Sequence, residues 1–146
     1  RHGEPSAAEA TMKEMSGLSI APNVASYTSL SVAYKNAKDF EAVYQILQRM
    51  RAAGVEPNDV TYTTLVDAAS REGDAERASA LIEEMEESGV ELQTGPYTAL
   101  LNHHAKASNT KEFGALWQKM IAKGVTPDDR TYGALIVLRV VQGDVQ

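Results

Sequence analysis

Residues 59–93 read DVTYTTLVDAASREGDAERASALIEEMEESGVELQ. The apolar positions Tyr62, Leu65, Val66 and Ala69 follow the i, i+3, i+4, i+7 stripe of an amphipathic helix. Arg71-Glu72-Gly73-Asp74 then breaks the pattern with polar residues and a glycine. A second stripe follows at Ala78, Leu81, Ile82 and Met85, and Gly89 stands where a glycine ends a helix. The stretch therefore reads as helix, turn, helix, turn.

The same 35 residues recur along the chain. Tyr27, Tyr62, Tyr97 and Tyr132 keep this step, as do Met15, Met50, Met85 and Met120. Gly54, Gly89 and Gly124 keep it too, with Ser19 in the fourth slot; Pro22, Pro57 and Pro127 share it, with Leu92 standing in once. Other first-helix stripes run Tyr27, Leu30, Tyr34, then Tyr97, Leu100, Leu101, His104, then Tyr132, Leu135, Ile136, Arg139. Other second-helix stripes run Val43, Ile46, Leu47, Met50 and Phe113, Leu116, Trp117, Met120. Ala8, Thr11, Met12 and Met15 fit a second helix as well.

One helical pair cannot bury both of its faces, so neighbours must stack. The expected fold is all-α, a right-handed superhelix of helix pairs. Asp59, Thr94 and Asp129, each three residues before a tyrosine, are expected to cap the first helices. Pro96 falls in a first turn, where a missing N–H costs nothing. The expected units are residues 24–58, 59–93 and 94–128. A partial repeat at 1–23 supplies a second helix and another at 129–146 a first helix. Arg1-His2-Gly3-Glu4 and Val141-Gln142-Gly143-Asp144 both align with the turn at Arg71–Asp74. The apolar Ile136, Leu138, Val140 and Val141 suit a piece of a longer array, or ends that dock on something else.

Composition narrows the function. There is no cysteine, which excludes disulfides, thiolate metal sites and cysteine nucleophiles. No apolar run approaches the length of about 18 residues that a membrane span needs. The net charge of −6 works against non-specific attraction to phosphate or anionic lipid. His103 and His104 are adjacent, not spaced i, i+4, so they cannot share a metal on one helix face. No nucleophile–base pair, phosphate loop or metal cluster is legible, so no catalytic residue, cofactor or metal is expected. Glu83, Glu84, Glu86 and Glu87 are expected to form a solvated outer face, His104 to lie in the core or groove, and Trp117 to pack.

A period of 35 separates the chain from tetratricopeptide repeats, whose period is about 34 with a Trp, Leu-Gly, Tyr signature missing here. Val60 to Ala68 resembles the opening of a pentatricopeptide repeat, and Glu83-Glu84-Met85 with Gly89-Val90 resembles its second half. Lys123-Gly124-Val125-Thr126-Pro127-Asp128 is similar to the family's closing residues. The resemblance covers essentially the whole chain. It implies an organellar binder of single-stranded RNA, in a mitochondrion or chloroplast, that reads one base per repeat. The base-reading pairs it implies are Thr28 with Asn58, Thr63 with Gln93, and Thr98 with Asp128.

In the family's code threonine–asparagine goes with adenine and threonine–aspartate with guanine; threonine–glutamine departs from it. The residues implied to sandwich a base are Ala25, Val60, Gly95 and Arg130, and those implied to touch phosphate are Arg71 and Lys106. Asn36 and Val141 break the basic track, and Gly133 has no side chain to read with. The acidic balance and the irregular reading set also suit an alternative, a scaffold that binds protein subunits of an organellar ribonucleoprotein such as a ribosome.

Overall fold

The computed structural model describes residues 5–143. They form eight helices and, among the described residues, no strand: α1 (Pro5–Gly17), α2 (Val24–Asn36), α3 (Phe40–Ala52), α4 (Asp59–Glu72), α5 (Ala75–Ser88), α6 (Thr94–Lys106), α7 (Thr110–Ala122) and α8 (Asp129–Val141). The expected turn at Arg1–Glu4 and the end of the other turn at Asp144 lie outside the described residues.

The even-numbered helices stack on one another in order, α2 on α4, α4 on α6 and α6 on α8. They form one continuous layer. α3, α5 and α7 each rest on the even helix before them, α1 rests on α2 after it, and α3 and α5 also touch the even helix after them. Clefts of about 350 Å³ between α3 and α5 and about 550 Å³ between α5 and α7 separate the second layer. A closed first layer and a splayed second layer make a curved α-α solenoid.

The repeating letters are the core. Tyr62, Tyr97, Met50, Met85 and Met120 are all buried to within 1% exposure. The four tyrosines are nonetheless unequal. Tyr132 is 52% exposed, and Ile136, the counterpart of the buried Val66 and Leu101, is 63% exposed. Among the described residues no helix covers that side of α8. Trp117 packs as expected, stacked on Phe113 at 5.9 Å and edge-on to Tyr132 at 5.4 Å.

The chain reverses through left-handed residues. Gly54, Gly89 and Gly124 have φ of 74°, 84° and 80°, and Ser19 takes the same conformation at 59° without a glycine's freedom. A second series one helix out of step places Lys38 and Ser108, at 63° and 59°, in the slot that Gly73 fills at 85°. The turn geometry thus overrides the residue, at the steric cost a Cβ carries there, of order 1–2 kcal/mol.

The first-helix caps lie one residue earlier than the sequence suggested. Asp59, Thr94 and Asp129 are already helical, and the N-caps are Asn58, Gln93 and Asp128, with Asn23 on α2. In α2, α4 and α8 the reason is the residue three further on. Ser26, Thr61 and Thr131 each offer a backbone N–H and a hydroxyl that close a reciprocal box with the residue before the helix.

The acidic run on α5 is also not one solvated face. Glu84 accepts from the Tyr62 hydroxyl at 3.2 Å and pairs with Arg51. Glu86, with its side chain 6% exposed, accepts from the Tyr97 hydroxyl at 2.5 Å and pairs with Lys119 at 3.3 Å. Only Glu83 and Glu87 of the four stand exposed. Tyr62 and Tyr97 carry their phenols into the layer between helices, and a carboxylate accepts from each there.

His104 is a core histidine, 5% exposed, with Nδ1 3.3 Å from the Asn109 side-chain amide. Burial first, then the neighbouring His103, push its imidazole below the usual 6.5, while Glu112 pulls the other way. The unfolded chain therefore takes up a proton near 6.5 that the folded chain refuses. Stability is complete above that pH and declines as pH falls through it. Urea melts at about pH 7.5 and about pH 5.5 should show this decline, and His104→Gln should flatten it. An unchanged slope in His104→Gln would assign the decline to other groups.

Candidate nucleic-acid interface

The residues implied to read bases fall at one end of the first layer, at or beside the N-termini of α2, α4, α6 and α8. Asn58 Oδ1 accepts from the Thr61 backbone N–H at 3.0 Å and from the Thr61 hydroxyl at 3.0 Å. Asp128 Oδ1 accepts the matching pair from Thr131 at 3.0 and 2.8 Å. Its other oxygen accepts from the Thr94 hydroxyl at 2.9 Å, across the α6–α8 boundary. These bonds, those of the Thr131 hydroxyl foremost, hold the Asp128 carboxyl at about 2. It is an acceptor-only carboxylate at neutral pH.

Thr98 and Asp128, implied as a pair, are joined through one intermediary. The Thr98 and Thr131 hydroxyl oxygens lie 3.1 Å apart. The Thr131 hydrogen is spent on Asp128, so Thr98 donates to Thr131. Thr98 is 7% exposed, the most enclosed of the three threonines. Thr63 is half-buried and donates to the Asp59 carbonyl at 2.8 Å. Thr28 is half-buried too.

Gly95 and Thr63 explain each other. A Cβ on Gly95 would lie 2.6 Å from Thr63 Oγ1, so the threonine occupies the space that a sandwiching side chain would start from. Ala25, Val60 and Arg130, in the equivalent places, are exposed, Val60 by 48%. Gln93 makes no side-chain cap bond, because Pro96 stands where Thr61 and Thr131 supply the N–H and hydroxyl. Reading the sequence without these bonds missed Thr61, Thr94 and Thr131. For Thr61 and Thr131 the signal available was a hydroxyl residue three places after the closing Asn or Asp.

Arg71 and Lys106 line one cleft of about 600 Å³ at the other end of α4 and α6, together with Asn102 and His103. Asp67 sits in the same cleft, paired with Lys35 at 2.8 Å and with Arg71 at 3.2 Å. The Ser70 hydroxyl also lines it, buried and without a hydrogen-bond partner. Basic groups therefore gather here despite the acidic whole, with one of them partly spent on Asp67. Among the described residues no group of His, Asp or Glu is arranged to hold a metal, and no helix is long and apolar enough to cross a membrane.

Comparison with curated protein sequences returns no match. Among solved structures, nuclear proteinaceous RNase P 2 from A. thaliana superposes with a TM-score of 0.74 at 18% identity, over 97% of this chain and 32% of that one. The pentatricopeptide repeat protein PPR10, solved with an 18-nt psaJ RNA element, gives 0.76 at 26% identity over 94% and 20%. The PPR domain of Arabidopsis thaliana protein-only RNase P 1, solved with tRNA, gives 0.72 at 21% over 92% and 70%. The chain thus spans about a third of the first and a fifth of the second. The family model for the pentacotripeptide-repeat region of PRORP matches residues 31–146. With that match over most of its length, the chain belongs to the pentatricopeptide-repeat family.

Proposed function

We propose that this chain is a binding module for single-stranded RNA, reading one base per repeat, within an organellar protein of the mitochondrion or chloroplast. In this reading it holds RNA for processing, stability or translation and performs no chemistry of its own. One observation carries the reading: side chains able to meet a base edge converge at one end of the stacked layer, with Thr98 tied to Asp128 through Thr131. The 26% identical PPR10, solved with an RNA element, supports it. The base pairs are Thr28 with Asn58, Thr63 with Gln93, and Thr98 with Asp128. Val60, Ala25 and Arg130 lie against the bases, while Gly95 offers none of that surface. Arg71 and Lys106 receive phosphate. With few cations available, the salt slope of binding is shallow.

A second reading is a protein-binding scaffold in a ribonucleoprotein. The exposed apolar row Tyr132, Ile136, Val140 and Val141 on α8 favours it. Selection from a random single-stranded RNA pool at moderate salt separates the two. The RNA reading expects enrichment, and Asn58→Asp should move the preferred base in its unit from adenine toward guanine. A pool that stays unenriched would overturn base reading and leave the scaffold.

A further inference from the structure

Three of the four first helices open on the same reciprocal cap, and the fourth does not. In α2, α4 and α8 the third helical residue, Ser26, Thr61 or Thr131, binds the side-chain oxygen of Asn23, Asn58 or Asp128 and is bound in return. In α6 that third residue is Pro96, with neither an N–H nor a hydroxyl, and Gln93 is left unbonded.

The cap decides which atom a ligand would meet. A backbone N–H can be met only by an acceptor, so the Asn58 atom facing Thr61 must be oxygen. Its Nδ2 then points away from the cap with two hydrogens to donate. At Asp128 the corresponding free atom is Oδ2, which only accepts and already takes the Thr94 hydroxyl on one side. The same cap therefore makes the Asn a fixed donor, and holds in one orientation an Asp that accepts in any case. Gln93, with no bond to set its amide, can present either.

We propose that Thr61 and Thr131 are positioning residues: Thr61 fixes which end of the Asn58 amide faces a base, and Thr131 fixes which way the Asp128 carboxylate is turned. Pro96 leaves Gln93 without a fixed polarity, so the Thr63–Gln93 unit accepts bases with little discrimination. The inference rests on the base-reading function proposed above. It adds that specificity is set one residue away from the side chain that touches the base.

Two measurements on the whole chain test it. Side-chain amide relaxation by NMR, without RNA, should find the Asn58 NH₂ as rigid as the backbone and the Gln93 NH₂ mobile. NMR titration with short single-stranded RNAs differing at one base should then show discrimination of about tenfold at the Asn58 and Asp128 units and under about threefold at the Gln93 unit. Thr61→Pro puts a proline at the third helical position, as α6 has at Pro96, and should free the Asn58 amide and erase its discrimination. Thr61→Ser, which keeps both bonding groups, should retain it. A rigid Gln93 amide, or a Thr61→Pro variant that still discriminates, overturns the inference. Failure of every RNA to bind instead overturns the base-reading function itself, and the amide measurement stands apart from that outcome.

Discussion

Tyr97→Ala is expected to cost about 3–5 kcal/mol, whereas Tyr132→Ala costs about 1 kcal/mol. The two tyrosines occupy the same place in the 35-residue period. Tyr97 is fully enclosed and its hydroxyl is held by Glu86. Truncating it opens a cavity between α6 and its neighbours and leaves a buried carboxylate short of a donor. Tyr132 is 52% exposed and rests edge-on against Trp117, so alanine there loses little more than that ring contact. Urea denaturation followed by helical circular dichroism gives both values. Equal losses would mean that Tyr132 is as covered in solution as Tyr97. In a solenoid the damage at Tyr97 spreads only to adjoining units, so the transition should also broaden.

Glu86→Ala should cost about 1–3 kcal/mol, while Glu83→Ala, three residues earlier in the same acidic run, stays within about 0.5 kcal/mol. Glu86 is the acceptor for a buried phenol and the partner of Lys119, with little exposure of its own. Its removal strands the Tyr97 hydroxyl in a place water does not reach. Burial and then the bond to Glu86 already push the Tyr97 hydroxyl far above the usual phenol range, so it donates and does not ionise. Glu86→Gln keeps an acceptor for the hydroxyl and loses the ion pair, and should fall between wild type and Glu86→Ala. Thermal melts of the three variants decide the order. If Glu83→Ala were as damaging as Glu86→Ala, the acidic run would act as one electrostatic unit and not residue by residue.

The run shows where sequence reading stops. Four glutamates in five positions look alike in composition, and helical periodicity says only that they share a broad outer arc. Which of them meets a tyrosine depends on the partner helix, because Tyr62 belongs to α4 and Tyr97 to α6. The caps make the same point on a shorter scale. Asn58 and Asp59 are both good capping types, and choosing between them requires knowing which backbone N–H the side chain can reach. That choice moved the cap onto the residue expected to read a base, which ties folding and the proposed recognition to one side chain.

By itself the sequence determined the period, the helix pair within it, the residue types of the core and the family. These follow from local physics: apolar spacing fixes the faces of each helix, and a face that cannot be buried within one unit must stack on the next. Only the tertiary structure decided how equivalent letters differ. It buried Tyr62 and Tyr97 and exposed Tyr132, engaged Glu84 and Glu86 and left Glu83 and Glu87 in water. It also set Thr63 in the space beside Gly95 and joined Thr98 to Asp128 through Thr131. The physical reason is common to all four. Each depends on an atom from a neighbouring helix 11 to 33 positions away, and equivalent positions of the repeat meet different neighbours in space.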